Sequence, residues 1–190
     1  SLEDLTTLVG KIKEAGITKI KGKIYGDISA GDSLFWGAGW MWDDDPSSDF
    51  PSLTPFVVND NCILAAFKPS KIGDKPIIEL IPNSKYVKFT NNAITGKYTN
   101  DFDITRNWVF RGNDFTALGT LGVKEEPDTF KVNIFDGNAF FMTLALEEMQ
   151  KQGIHFNESY EYKVLPQDVI KLYSLERPFR DIIDNLNKQS

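Results

Sequence analysis

The sequence predicts an α+β fold: a mainly antiparallel β-rich middle with flanking helices near the N- and C-termini. Two observations carry this. In residues 2–15, 138–152 and 178–189, apolar side chains recur every three to four positions, the period of a helix with one buried face. Between residues 56 and 135 they recur near every second position, in short runs broken by Pro, Gly, Asn and Asp, as in strands joined by tight turns. With 190 residues, 41% of them hydrophobic, the chain can bury a core as one domain or two small lobes. The pattern divides it into residues 1–68 (first helix, strand and an aromatic–acidic loop), 69–135 (a β-rich subdomain) and 136–190 (a helix–strand return and a C-terminal helix).

Leu2, Leu5, Leu8 and Ile12 mark the first helix, with Ser1 and Asp4 placed to cap its start and Gly16 to close its end. A strand begins near Ile17. Ile20, Gly22, Ile24, Gly26 and Ile28 share one of its faces, and Lys19, Lys21, Lys23, Tyr25 and Asp27 the other. Pro46, Pro51 and Pro55 call for irregular backbone. Phe56–Val58 and Cys62–Phe67 read as two short strands around an Asn59–Asn61 turn. Further strands are expected at Ile77–Ile81, Tyr86–Thr90, Phe102–Phe110, Thr116–Val123 and Phe130–Phe135. Met142, Ala145, Leu146 and Met149 form the next helical stripe. The unit it opens (helix, Gln152-Gly153-Ile154, strand) echoes the first (helix, Ala15-Gly16-Ile17, strand). Phe179, Ile182, Ile183 and Leu186 mark the last helix, with Pro178 at its first turn. The three helices are expected to cluster, and the last to pack incompletely, because the chain stops at its tail.

A net charge of −6 disfavours nucleic acid and anionic membrane surfaces as partners. No apolar run approaches the roughly 20 residues of a membrane span, and no signal peptide is visible. Cys62 stands alone, so neither an internal disulfide nor a cysteine-rich metal site is expected. No Walker loop, dinucleotide fingerprint or Gly-x-Ser-x-Gly elbow occurs, and no cofactor is predicted. His155, the single histidine, is read as structural, for no nucleophile motif accompanies it. Asp43-Asp44-Asp45 lacks the alternating spacing of a calcium loop, so no metal is assigned there.

The most informative stretch runs from Gly22 to Asp45, where a strand gives way to a glycine-containing loop, Gly37-Ala38-Gly39-Trp40-Met41-Trp42-Asp43-Asp44-Asp45. Trp36, Trp40 and Trp42 could serve as core, and Trp40 and Trp42 would share a face in a strand. Three adjacent carboxylates repel one another and cannot all be buried unpaired. Aromatic and acidic residues together suit a wall that meets a ligand with a cationic end.

Taken together, these segments resemble the class C low-molecular-mass penicillin-binding proteins, the D-alanyl-D-alanine carboxypeptidase/endopeptidases. The matching residues are Gly16-Ile17 through Gly22-x-Ile24, Asp27-x-Ser29, Gly39-Trp40-Met41-Trp42-Asp43-Asp44, Asn59-x-Asn61, Gly153-Ile154, and Arg177-Pro178-Phe179 through Ser190. Residues 70–130 match in stranded character alone. The family carries Ser-x-x-Lys, Ser-x-Asn and Lys-Thr-Gly motifs, with a large insertion between the first two. None of the three occurs here, and Ser190 falls where the second would begin. The resemblance therefore implies that this chain is the insertion region with its flanking helices, a non-catalytic fragment with no catalytic residue of its own. Its parent would be a serine acyl-enzyme peptidase that binds β-lactams and acts on peptidoglycan outside the cytoplasmic membrane. The implied partners are the remainder of the parent peptidase domain and the stem peptide. The resemblance places Trp40 as an apolar wall, Asp43 or Asp44 as the acceptor of the stem peptide's side-chain ammonium, and Phe50 as the next wall residue. Ser47 and Ser48 stand where the family has aromatic residues. The alternative is a free-standing binding or scaffold module for a cell-wall glycopeptide or a protein partner.

Overall fold

The computed structural model describes all residues except Ser33, Asp45, Trp108, Val109, Arg111, Glu158 and Ser190; for Trp42 and residues 185–189 it describes the backbone. Helix α1 spans Leu2–Glu14 and opens on a capping box, in which the Ser1 hydroxyl accepts the Asp4 N–H at 3.2 Å and the Asp4 carboxylate accepts from Ser1. It ends in a Schellman turn. Gly16, at φ +80°, donates its N–H to Lys13 O at 2.9 Å, and Ile17 donates to Ile12 O at 3.2 Å. Helix α2, Gly137–Lys151, ends the same way: Gly153, at φ +81°, donates to Gln150 O and Ile154 to Met149 O. The echo read in the sequence is thus a repeated local structure. Its two copies lie side by side, with strand β1 (Lys19–Ile20) parallel to β10 (His155–Phe156) and α1 packed on α2.

The long alternation predicted from Ile20 to Ile28 is broken at residues 21–23. Strand β2, Ile24–Gly26, takes a different parallel partner, β11 (Tyr160–Tyr162). Just beyond it, the Asp27 carboxylate accepts the N–H groups of Ser29 and Leu165, both at 2.9 Å. That couples the exit of β2 to the segment after β11.

The middle of the chain forms two sheets. In the first, β3 (Cys62–Lys68) lies between β4 (Ile77–Ile81) and β9 (Asp128–Asn133), antiparallel to both. In the second, β8 (Asp114–Gly122) pairs antiparallel with β7 (Asn100–Arg106) along one edge. Along its other edge lie β5 (Lys88–Asn91) and β6 (Ile94–Gly96), both parallel to β8 and in one register, Lys88 opposite Asp114 and Ile94 opposite Thr120. These two are one strand interrupted at Asn92–Ala93. Between the sheets and α2 lies the main core of Ile63, Ala65, Val132, Ile104, Phe115, Ala117, Phe140 and Leu144, with Leu5 from α1. A second cluster, Val9, Leu146, Met149 and Ile154, seals the two helices onto β1 and β10. Met142 and Ala145 of the predicted stripe are also buried.

Phe56–Val58 do not form the predicted strand. Asn59, Asp60 and Asn61 all take left-handed backbone (φ 51°, 54° and 49°), so the chain turns out of the plane a hairpin would need. Side-chain amides support this strained turn: Asn59 Nδ2 donates to Cys62 O at 2.8 Å, and Asn61 Nδ2 to Ser52 O at 2.9 Å and Thr54 Oγ1 at 2.8 Å. Helix α3, Phe179–Gln189, leaves Phe179, Ile182 and Ile183 exposed. Leu186 of the predicted face lies outside the described side chains. Among the described residues, none of α3 joins either core cluster, so α1 and α2 pack together without it.

Candidate functional site

Among its described residues, the aromatic–acidic loop has no strand. Residues Trp42–Asp44 form a single 3-10 turn, so the strand in which Trp40 and Trp42 were expected to share a face does not form. The turn is held by its own acid: Asp44 Oδ2 accepts the Met41 N–H at 2.7 Å, and the Asp44 carbonyl accepts from Ser47 N at 2.9 Å. Asp44 is half-buried and engaged, whereas Asp43 is exposed. Asp45, the third predicted acid, lies outside the described residues.

Trp40 is half-buried among aromatic neighbours. Its ring meets Trp36 edge-on at 5.1 Å between centroids and Phe50 edge-on at 5.2 Å, the geometry that aromatic quadrupoles favour. Trp36 Nε1 also donates to Trp40 O at 3.3 Å. The Trp40 ring rests on Gly37 so closely that a Cβ there would lie 2.6 Å from Trp40 Cε2. Of the predicted wall, therefore, Trp40 and Phe50 are brought together, with Asp43 and Asp44 in the turn that follows Trp40.

A recess of about 480 Å³ opens nearby, lined by residues 30–32, 34, 36–38 and 53–55. It shares Trp36 and Gly37 with the cluster but includes none of Trp40, Asp43, Asp44 and Phe50. The wall predicted from the sequence and this recess are neighbouring features that meet at Trp36 and Gly37.

What holds the loop is a set of buried polar residues that the sequence reading missed. Asn133, at the end of β9, donates its backbone N–H to Pro46 O at 2.8 Å, and its Nδ2 to Ser47 O and Phe50 O, both at 3.0 Å. Its carbonyl and Oδ1 both accept from Arg106 Nη2. Arg106 is 3% exposed, Asn133 2%, and the guanidinium sits 4.8 Å over the Phe115 ring. Ser52 Oγ donates to Ile134 O at 2.8 Å and Asn138 Oδ1 accepts Phe56 N–H at 3.1 Å, fastening the loop's return to β9 and α2. A signal for Arg106 existed: it shares strand parity with Ile104, on the buried face of β7.

His155 is exposed on β10 and pairs with Lys19. Cys62 is buried, and burial pushes its thiol up to about 11. Among the described residues, no group of three or more His, Cys, Asp or Glu has metal-binding geometry, and no helix is long and apolar enough to cross a membrane.

Comparison with known proteins adds a second line of observation. A family model described as the D-Ala-D-Ala carboxypeptidase 3 (S13) family matches residues 1–190. D-alanyl-D-alanine carboxypeptidase DacB of Haemophilus influenzae is 23% identical over 195 residues, which cover 98% of this chain and 39% of that protein. The chain thus spans about two fifths of the length of this curated relative. Among solved structures, penicillin binding protein 4 (dacB) from Haemophilus influenzae aligns with a TM-score of 0.78 at 20% identity, covering 97% of this chain and 41% of the other. The same protein complexed with a β-lactam aligns with a TM-score of 0.64 at 17% identity, covering 97% and 39%. Likeness at these identities establishes a shared fold.

Proposed function

The chain belongs to the D-Ala-D-Ala carboxypeptidase 3 (S13) family, and from that premise we propose that it is the substrate-shaping part of a serine-type D-Ala-D-Ala carboxypeptidase/endopeptidase. In this reading it carries no catalytic residue. The nucleophile and its lysine stand in the remainder of the parent peptidase domain, and the substrate is a peptidoglycan stem peptide met outside the cytoplasmic membrane. The observation that carries the proposal is the Trp40–Phe50 aromatic pair followed within one turn by the exposed carboxylate of Asp43. An apolar wall receives the methylene chain of a diamino acid, and an acid beyond it receives the terminal ammonium.

Of the two acids, Asp43 is the one with its carboxylate open to a ligand, while Asp44 is engaged by the Met41 N–H. In the full-length enzyme, Asp43→Asn is expected to lower kcat/KM for stem peptides bearing a free side-chain amine by about ten- to a hundredfold. That range corresponds to one charge-assisted hydrogen bond of roughly 1.5–3 kcal/mol. Peptides whose amine is acylated offer no cation and should be turned over as before. Asp44→Asn should act more weakly, by loosening the turn. If neither substitution alters the preference for the free amine, the loop is structural and the recognition reading fails.

A further inference from the structure

Asn133 occupies an unusual place for an asparagine. It is buried at the end of a strand, between Val132 and Ile134, and its amide is fully engaged. Both Nδ2 hydrogens go to loop carbonyls three residues apart, Ser47 O and Phe50 O. Its acceptors face the other way, onto Arg106. Neither side can be exchanged freely, because a buried amide that loses its partners keeps the full desolvation penalty.

The contacts run in series. Arg106 orients Asn133, Asn133 fixes the backbone of residues 47–50, that backbone aims the Phe50 ring, and Phe50 braces Trp40 edge-on. No ligand needs to touch Arg106 or Asn133 for them to govern the wall. We propose that Asn133, clamped by Arg106, is the positioning residue of the Trp40–Phe50 wall and so sets the enzyme's selectivity for amine-bearing stem peptides. This rests on the reading of the wall given under the proposed function.

Asn133→Asp in the full-length enzyme is the discriminating variant. It keeps the shape and both acceptors for Arg106, so β7 and β9 stay joined. It replaces the Nδ2 donor by an oxygen facing two carbonyl oxygens, so residues 47–50 lose both side-chain ties while the backbone N–H of residue 133 still holds Pro46 O. Two readouts are taken together: hydrogen exchange of residues 46–52, and the ratio of kcat/KM for a free-amine stem peptide to that for the same peptide acetylated on the amine. A general loss of stability lowers both rate constants alike and leaves their ratio where it was.

The expected result is faster exchange over 46–52 with protection of β3 retained, together with a roughly tenfold or greater fall in the ratio, as the loss of two hydrogen bonds allows. Asn133→Ala, which removes the Oδ1 acceptor of Arg106 as well as the Nδ2 donor, should show the same fall with lower stability. A loop that loosens while the ratio holds overturns the inference and leaves the function of the wall standing. An unchanged loop overturns it too. If the wild-type enzyme itself shows no preference for the free amine, the reading of the wall falls, and the selectivity role of Asn133 with it.

Discussion

Asp27 shows how far one carboxylate can organise backbone. It accepts N–H groups from Leu165 and Ser29, and these bonds, Leu165 first, hold its pKa below the ordinary carboxylate value. A folded-state pKa that lies below the unfolded one means that the tie is complete above about pH 4 and is lost as pH falls through the lowered value. The Leu165 amide shift, followed by NMR from pH 6 to pH 2, is therefore expected to titrate with an inflection below 4, and Asp27→Asn should abolish that titration. A flat Leu165 shift in the parent chain would contradict the tie. The Asp27-x-Ser29 spacing was legible in the sequence because an Asx turn is local. Asn133 and Arg106 were not, since their partners lie some 27 to 86 residues away and nothing in a strand pattern says which polar residue has found one. The same limit governs the acids: the sequence holds Asp43 and Asp44 equal, and one hydrogen bond to Met41 separates them.

Secondary structure was most legible where its signals are local and redundant. Helix α1 carries a capping box, an apolar stripe and a closing glycine, and its ends fall within a residue of the expectation. Strand β4 likewise follows from alternation between turn residues, and β5, β7, β8 and β9 from the same rule with shifted ends, whereas β6 was not expected. The failures have one cause each. Phe56–Val58 alternates poorly and is led away by three left-handed residues, whose support comes from Ser52 and Thr54. The Ile20–Ile28 run splits because its halves pair with different strands, a choice made across the fold. The twin helix ends offer a sharp check. Gly16 and Gly153 sit at φ +80° and +81°, with open space where a Cβ would go, so only backbone strain opposes a side chain. Gly16→Ala and Gly153→Ala are each expected to destabilise by about 1–2 kcal/mol in urea unfolding, and asparagine at either position by less. Equal effects of alanine and asparagine would mean that the left-handed cap is not what the glycine supplies.

At the scale of the molecule, the chain matches its family along its whole length yet spans 39% of the curated relative, and it contains none of the Ser-x-x-Lys, Ser-x-Asn and Lys-Thr-Gly motifs. The 190-residue chain by itself is therefore expected to take no covalent label from a fluorescent penicillin under conditions that label a full-length family member; a label stable to denaturing electrophoresis would refute this. The family and the α+β class were legible because both rest on motifs and periods spread over the chain. How the sheets face each other was not, because it depends on pairings such as β3 with β9 that join distant segments. The two helix–glycine–isoleucine–strand units meet through contacts such as that of Gln152 Nε2 with Thr6 O, 146 positions apart. Everything between them is an excursion that leaves the paired units and returns to them. The entropy of closing such a circuit rises only logarithmically with its length, about 0.6 kcal/mol for a doubling. Its closure is slow to find, since so distant a contact must wait for diffusion of the whole intervening chain, yet it is nearly indifferent to how much chain is enclosed. The excursion can therefore gain or lose strands over generations while the parallel pair that frames it keeps the same register.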